Sequence, residues 1–178
     1  SIPIGFKRIR VHLIYAVKHD GRHKARLVAD GHLTDIPLNS VYAGVVSIRG
    51  MRICLFLGEL NNMEAHATDI GNAYLEAKTL EKVCIRAGAE FGELEGHLLI
   101  IYKALYGLRS SGKQFGDLLA DCLRKEGFIP SRAEPHIFMR RQDNLWEYIA
   151  TYVDDLLIVS HQPLQILEVL QSEPYNFK

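Results

Sequence analysis

The plainest periodic signal along the chain is Phe115, Leu118, Leu119, Cys122 and Leu123, which fall at i, i+3, i+4, i+7 and i+8, with Arg124, Lys125 and then Gly127 behind them. This spacing predicts an amphipathic helix that stops before Gly127. Near the amino end, Ile9 to Val17 and His23 to Ala29 are strand-forming runs divided by Lys18-His-Asp-Gly21. They predict a hairpin whose returning strand sends Lys24 and Arg26 to one face and Ala25 and Leu27 to the other. The segment to Asn39, with Pro37, reads as a loop. From Ser40 to about Asn61, Val45, Ile48, Met51 and Leu55 recur at helical spacing, with Ser40 as the cap and Asn61-Asn62 as the stop. A short strand ending at Asp69 follows, then a tight turn through Gly71. Residues 77–96 read as irregular and His97 to Tyr106 as a strand. Phe128 to Arg141 should run from a loop with Pro130 and Pro135 into a strand. Leu145 to Ser160 reads as a hairpin and Pro163 to Gln171 as a helix.

Two adjacent acids interrupt that last hairpin. In Ile149-Ala-Thr-Tyr-Val-Asp154-Asp155-Leu-Leu-Ile-Val159 they sit inside an apolar, β-branched run. An unpaired buried carboxylate costs several kcal/mol, so these acids must face water or meet a cation. Neighbouring side chains of a regular strand point to opposite faces, so both can reach one site only if the chain bends near them. Arms at Ile149 to Val153 and Leu156 to Ser160, with the acids near the tip, meet that requirement. A polar turn without metal remains the alternative. Asp69, at a strand end before a glycine turn, could help to hold a metal and a triphosphate, or could serve as an ordinary turn aspartate.

Composition sets outer limits. The chain has 178 residues, 48% hydrophobic and 24% charged, enough for one core of ordinary size or one divided between two lobes. No apolar run approaches the roughly 20 residues that span a bilayer, and the start lacks the apolar stretch of a signal peptide, so neither membrane insertion nor secretion is expected. Cys54, Cys84 and Cys122 are odd in number and widely spaced, which argues for buried thiols in a reducing compartment rather than disulfides or structural zinc. The absence of an initial Met suggests a piece of something longer. Net charge is zero but unevenly spread. Lys7, Arg8, Arg10, Lys18, Arg22, Lys24 and Arg26 face a single acid, Asp20, in the first hairpin, whereas the stretch from Glu59 to Glu95 is acidic. A basic ribbon near an acidic centre suits a phosphate-rich substrate, and a solvated basic hairpin is the plainer reading.

Five segments, taken in order, resemble a known family. Lys24-Ala-Arg-Leu-Val-Ala-Asp-Gly31, Thr68-Asp-Ile-Gly-Asn-Ala-Tyr-Leu75, Lys103-Ala-Leu-Tyr-Gly-Leu-Arg109, Glu126-Gly-Phe128 and Tyr152-Val-Asp-Asp-Leu-Leu-Ile158 are similar to the reverse transcriptase of copia-type long-terminal-repeat retrotransposons. The resemblance covers nearly the whole chain. It implies an α+β right-hand polymerase fold, with a palm made of an antiparallel sheet with helices packed on one face, plus fingers, the thumb absent. The implied limits are 1–50 fingers, 51–76 palm, 77–112 fingers and 113–178 palm.

The resemblance also implies roles. Asp69, Asp154 and Asp155 match the catalytic aspartates that hold two Mg²⁺, for which Mn²⁺ can substitute. Such a pair assists attack by the primer 3′-hydroxyl on an incoming deoxynucleoside triphosphate. Tyr74 matches the ring that excludes a ribose 2′-hydroxyl. Lys24 and Arg26 match residues that contact the triphosphate, and the sequence does not say which one serves. Gly107 matches a glycine lying against template and nucleotide, and Tyr152 and Arg109 fall near primer and template. The implied partners are an RNA or DNA template with its primer, deoxynucleotides, and downstream thumb and RNase H regions of a polyprotein. A cytoplasmic location in virus-like particles goes with them, and no membrane. Two departures stand out: Ser110-Ser111-Gly112 where the family usually has Gln-Ala-Pro, and Glu76-Ala77 where a glycine is usual. Alternatives are an inactive or co-opted remnant that keeps the fold and nucleic-acid binding, and a metal-dependent phosphatase or nuclease.

Overall fold

The computed structural model describes residues 1–34 and 41–177; most of the expected loop to Asn39 and the Ser40 cap lie outside them. Along the chain run β1 (Lys7–Arg8), β2 (Val11–Val17), β3 (His23–Ala29), α1 (Ile48–Leu60), β4 (Glu64–Asp69), α2 (Ala73–Glu76), β5 (Val83–Arg86), β6 (Leu98–Ile100), α3 (Ser111–Lys125), β7 (Ile129–Pro130), β8 (Ile137–Gln142), β9 (Leu145–Tyr152), β10 (Asp155–Ser160) and α4 (Pro163–Gln171). The fold is mixed α and β, with three sheets among the described residues. Two compact units form, one from residues 1–42 and 74–115, the other from 43–73 and 116–178.

In the first unit, β2 and β3 pair antiparallel, with Ile14 opposite Arg26 and Ala16 opposite Lys24. Gly21 closes the turn at φ +81°, a conformation that a side chain would oppose. The stretch expected to be irregular instead supplies β5, central in a second sheet, parallel to β1 and antiparallel to β6. Val83, Cys84 and Ile85 are all buried, so this is a strand covered on both faces and shows no alternation to read. The core joins Ile9, Ala29, Val83, Ile85, Leu105 and Leu108.

The second unit is built on an antiparallel sheet in the order β4-β10-β9-β8-β7. α1 begins at Ile48, later than expected, because the Ser47 side chain accepts the Gly50 N–H at 3.0 Å and the Val46 N–H is taken by the Thr151 carbonyl at 3.0 Å. Helical spacing alone could not show that second, long-range partner. Ile137, Ala150 and Val159 pack with Val46 and Cys54 on the α1 face. Strand alternation places Arg140, Glu147 and Ser160 on the opposite face. There they line or adjoin a cavity of about 540 Å³ with Leu123, Phe128, Ile166 and Leu170 from α3, its following turn and α4. Helices therefore cover both faces rather than one. The reason is in the strands: Ile149, Ala150, Ile158 and Val159 are neighbours in pairs and all at most 1% exposed, so neither face can be left to water.

The three cysteines are free and buried; burial pushes the Cys54 thiol up to about 11, consistent with packing rather than reactivity. Among the described residues no helix is long and apolar enough to cross a membrane.

Candidate active site

In the second unit the hairpin between β9 and β10 turns on only two residues, Val153 and Asp154, because Tyr152 pairs directly with Asp155. Val153 holds φ at +56°, the left-handed region that a β-branched side chain resists. Strain of this kind persists where the surroundings over-determine the backbone, and it clusters at functional sites. The arms are those expected, shifted so that Asp155 opens β10 instead of sharing the turn.

Asp69 arrives from far upstream. β4 pairs antiparallel with β10 over six residues, and the ladder ends with Asp69 opposite Asp155. Just past it, the Ile70 N–H donates to the Asp154 carbonyl at 2.8 Å, tying the turn to the strand that carries Asp69. Opposite residues of an antiparallel pair share a face, so Asp69 and Asp155 lie on one face at the sheet end, with Asp154 next in chain at the bend. All three are at least partly open to solvent. Like charges directly opposite are destabilising. Partial burial and then the charges of Asp154 and Asp69 raise the Asp155 carboxyl above its usual range. Asp69 and Asp155 thus face each other across the end of the ladder, with Asp154 beside them in the turn.

Three carboxylates form a hard, all-oxygen donor set, which fits Mg²⁺. Among the described residues, however, no group of three or more His, Cys, Asp or Glu side chains is placed so that it could hold a metal ion. Tyr152, 46% exposed, precedes the turn.

The other expected residues fall in the first unit. Arg26 and Lys24 lie two apart on β3, Arg26 exposed and Lys24 half-buried. The Arg26 guanidinium sits over the Tyr106 ring, 5.3 Å from its centre. Tyr106 also meets Tyr74, with ring centres 4.7 Å apart and planes tilted by 47°. Tyr74 in turn meets the buried Phe115 edge-on at 6.4 Å. Sequence reasoning singled out Gly107 and passed over Tyr106 beside it; an aromatic at a strand end announces no role until its neighbours are known.

Gly107 takes φ +90°, and a Cβ there would fall on the Ala29 carbonyl oxygen. Its close approach is thus to the end of β3, reinforced by the Ala29 N–H donating to the Tyr106 carbonyl at 2.7 Å. Gly107→Ala combines a left-handed penalty with backbone overlap, and a loss of about 2 to 4 kcal/mol is expected in urea unfolding. Arg109 donates to the carbonyls of Gly31 at 3.1 Å and His32 at 3.3 Å, a loop-tying use the sequence did not suggest. Where the family's Gln-Ala-Pro is missing, Ser110 donates through its N–H and its hydroxyl to Glu81 at 3.0 and 2.6 Å. The Ser111 hydroxyl donates to the Leu105 carbonyl at 2.7 Å. The start of α3 is therefore satisfied by other partners.

Comparison with known proteins identifies the family. The family model described as reverse transcriptase (RNA-dependent DNA polymerase) matches residues 1–178. The chain is 26% identical over 160 residues to the retrovirus-related Pol polyprotein from transposon RE1 of Arabidopsis thaliana, covering 88% of this chain and 11% of that protein. It is 31% identical over 150 residues to the transposon Ty1-LR2 Gag-Pol polyprotein of Saccharomyces cerevisiae, covering 83% of this chain and 8% of the relative. The truncated transposon Ty1-A Gag-Pol polyprotein of the same yeast is also 31% identical, with 12% of its length covered. With the whole chain matched by one family model and transposon Pol polyproteins among its relatives, this protein belongs to the reverse transcriptase (RNA-dependent DNA polymerase) family, in its copia-type branch.

Proposed function

We propose that the chain is the polymerising core of a copia-type retrotransposon polyprotein, adding deoxynucleotides to a primer 3′-hydroxyl on an RNA or DNA template. The first unit would serve as fingers and the second as palm, with downstream thumb and RNase H regions as partners in the parent polyprotein. The observation that carries this reading is the pairing of Asp69 with Asp155, with Asp154 beside them in a strained turn. Two acids set opposite each other with a third next in chain add nothing to stability, and their placement is what supports a cation-binding reading.

Asp69, Asp154 and Asp155 would hold two Mg²⁺, which would supply charge compensation at the attacking and leaving oxygens of an in-line displacement. The rest falls to the chain. Arg26 or Lys24 would bind the triphosphate from the ribbon. Tyr74, its ring held between those of Tyr106 and Phe115, would close the space a 2′-hydroxyl needs. The bond made joins the primer 3′-oxygen to the α-phosphorus, and pyrophosphate leaves.

Primer extension on an RNA template by the chain, alone and within a longer polyprotein segment, tests this reading: Mg²⁺-dependent incorporation of deoxynucleotides is expected. A well-folded polyprotein segment that extends no primer with either Mg²⁺ or Mn²⁺ would leave a remnant that keeps only the fold. Tyr74→Val should relax discrimination against ribonucleotides by about tenfold or more, equivalent to about 1.4 kcal/mol. Unchanged ratios of kcat/KM for the two sugars would remove Tyr74 from that role.

A further inference from the structure

We infer that the outward face of α1 is an interface between two copies of this chain, which pair with their α1 helices antiparallel about a two-fold axis. On its inner side α1 is packed through Gly50, Cys54 and Gly58, which are buried and recur at every fourth position. The rest of the helix is nearly as apolar as that side. Ile53, Phe56 and Leu60 are 49, 63 and 62% exposed. A helix that is apolar all round is normally covered all round, yet here three large side chains spaced i, i+3 and i+7 meet water. Beside them Ile53, Leu57, Ile137, Met139 and Tyr148 help to line an apolar groove of about 670 Å³, so the uncovered surface continues from the helix onto the sheet.

The charges say what covers it. Arg49 and Arg52 stand in the first half of α1 and Glu59 in the second, all three exposed. Arg52 and Glu59 lie two turns apart, roughly 10 Å along the axis, too far to pair within one chain. Among the described residues neither takes part in an ion pair. Ile53, Phe56 and Leu60 have the spacing of the a, d and a positions of a heptad, and Arg52 and Glu59, each one residue before an a, both fall at g. When two such helices run antiparallel, a residues layer against d residues and g faces g. Ile53 then meets the partner's Phe56, and Arg49 lays its stem over the partner's Leu60. The same register sets Arg52 against the partner's Glu59, and the two-fold axis repeats that pair. One surface therefore complements itself in apolar side chains and in charge, which is the condition for an isologous contact. A parallel pair would bring Arg52 level with the partner's Arg52 and align the helix dipoles.

Sedimentation equilibrium of the chain, and of a longer polyprotein segment, reads the association directly. The mass of the chain should climb from 20.2 kDa toward twice that value as its concentration rises to about 100 µM, and the segment should double likewise. Phe56→Glu, at an exposed position, should stay monomeric with an unchanged circular dichroism spectrum. Arg52→Glu should weaken Kd for the dimer about tenfold, because both ion pairs become repulsive. Combining Arg52→Glu with Glu59→Arg should restore the original Kd, since the exchange keeps every antiparallel pair opposite in charge. A chain that remains monomeric over the whole range overturns the inference. So does a dimer that persists in Phe56→Glu, that Arg52→Glu leaves unweakened, or that the charge exchange fails to restore. A longer segment that stays monomeric would give the face to another part of the polyprotein and overturns it too. The polymerase reading stands in each case, since primer extension measures it separately.

Discussion

Asp154→Asn is expected to abolish primer extension, by about a thousandfold or more, while leaving the fold intact. The magnitude follows from the chemistry proposed. Metal-borne compensation of charge on the reacting oxygens supplies several kcal/mol, and each 1.36 kcal/mol is a factor of ten in rate. An amide in place of the carboxylate keeps the shape of the turn but gives up the charge that holds the ion. Asp154 lies beside the strained Val153 and contributes its backbone carbonyl to Ile70, and neither feature depends on its side-chain charge. Thermal unfolding should therefore show a Tm no lower than that of the unaltered chain, because one of three mutually repelling acids is gone. A fall in Tm accompanying the loss of activity would mean that Asp154 supports the fold. Residual extension above about a tenth of the original rate would remove it from catalysis.

Arg140→Leu is the change expected to cost the most stability, about 3 to 5 kcal/mol. Glu147 is only 5% exposed. Its Oε2 accepts from Arg140 Nε and pairs with Nη2, at 3.0 and 2.9 Å, and its Oε1 accepts from the fully buried Ser160 hydroxyl at 2.6 Å. Arg140 also lies over the Phe128 ring at 4.3 Å and donates to the Glu126 carbonyl at 3.0 Å. Removing the guanidinium strands a buried carboxylate and strips its cover from that ring. Arg140→Leu combined with Glu147→Gln should recover about 2 kcal/mol, since the amide keeps an acceptor for Ser160 and carries no charge. Urea unfolding at constant m-value measures both. A single variant within about 1 kcal/mol of the unaltered protein would show that water reaches this network freely.

How much of this was readable beforehand depends on whether the information was local. α4 and β3 have the bounds expected, because a proline-led helix and a turn-bounded alternating strand carry their signals within a few residues. The helix over Phe115 to Leu123 was equally plain, its apolar stripe being long. β5 shows neither period because it is only four residues long, with Val83, Cys84 and Ile85 all buried and charged neighbours around them. The expected long strand from His97 shrank to Leu98–Ile100 because its continuation bends into the turn at Gly107. At the site, the motif resemblance pointed to the three acids, and their residue types pointed to oxygen-liganded metal. Their meeting was not readable, since the register of β4 on β10 is set by packing along six residue pairs and not by any local feature of Asp69. The Tyr106 contacts were hidden for the same reason: Arg26, Tyr74 and Phe115 come from three separate parts of the chain.

The central claim is that Asp69, Asp154 and Asp155 hold divalent cations together with a nucleotide. Electron paramagnetic resonance of Mn²⁺ titrated into the chain with dTTP and an annealed primer–template measures it without requiring turnover. Occupancy of protein-bound Mn²⁺ should fall at least about tenfold in each of Asp69→Asn, Asp154→Asn and Asp155→Asn. Equal occupancy in the unaltered chain and all three variants would place the cation elsewhere and contradict the account.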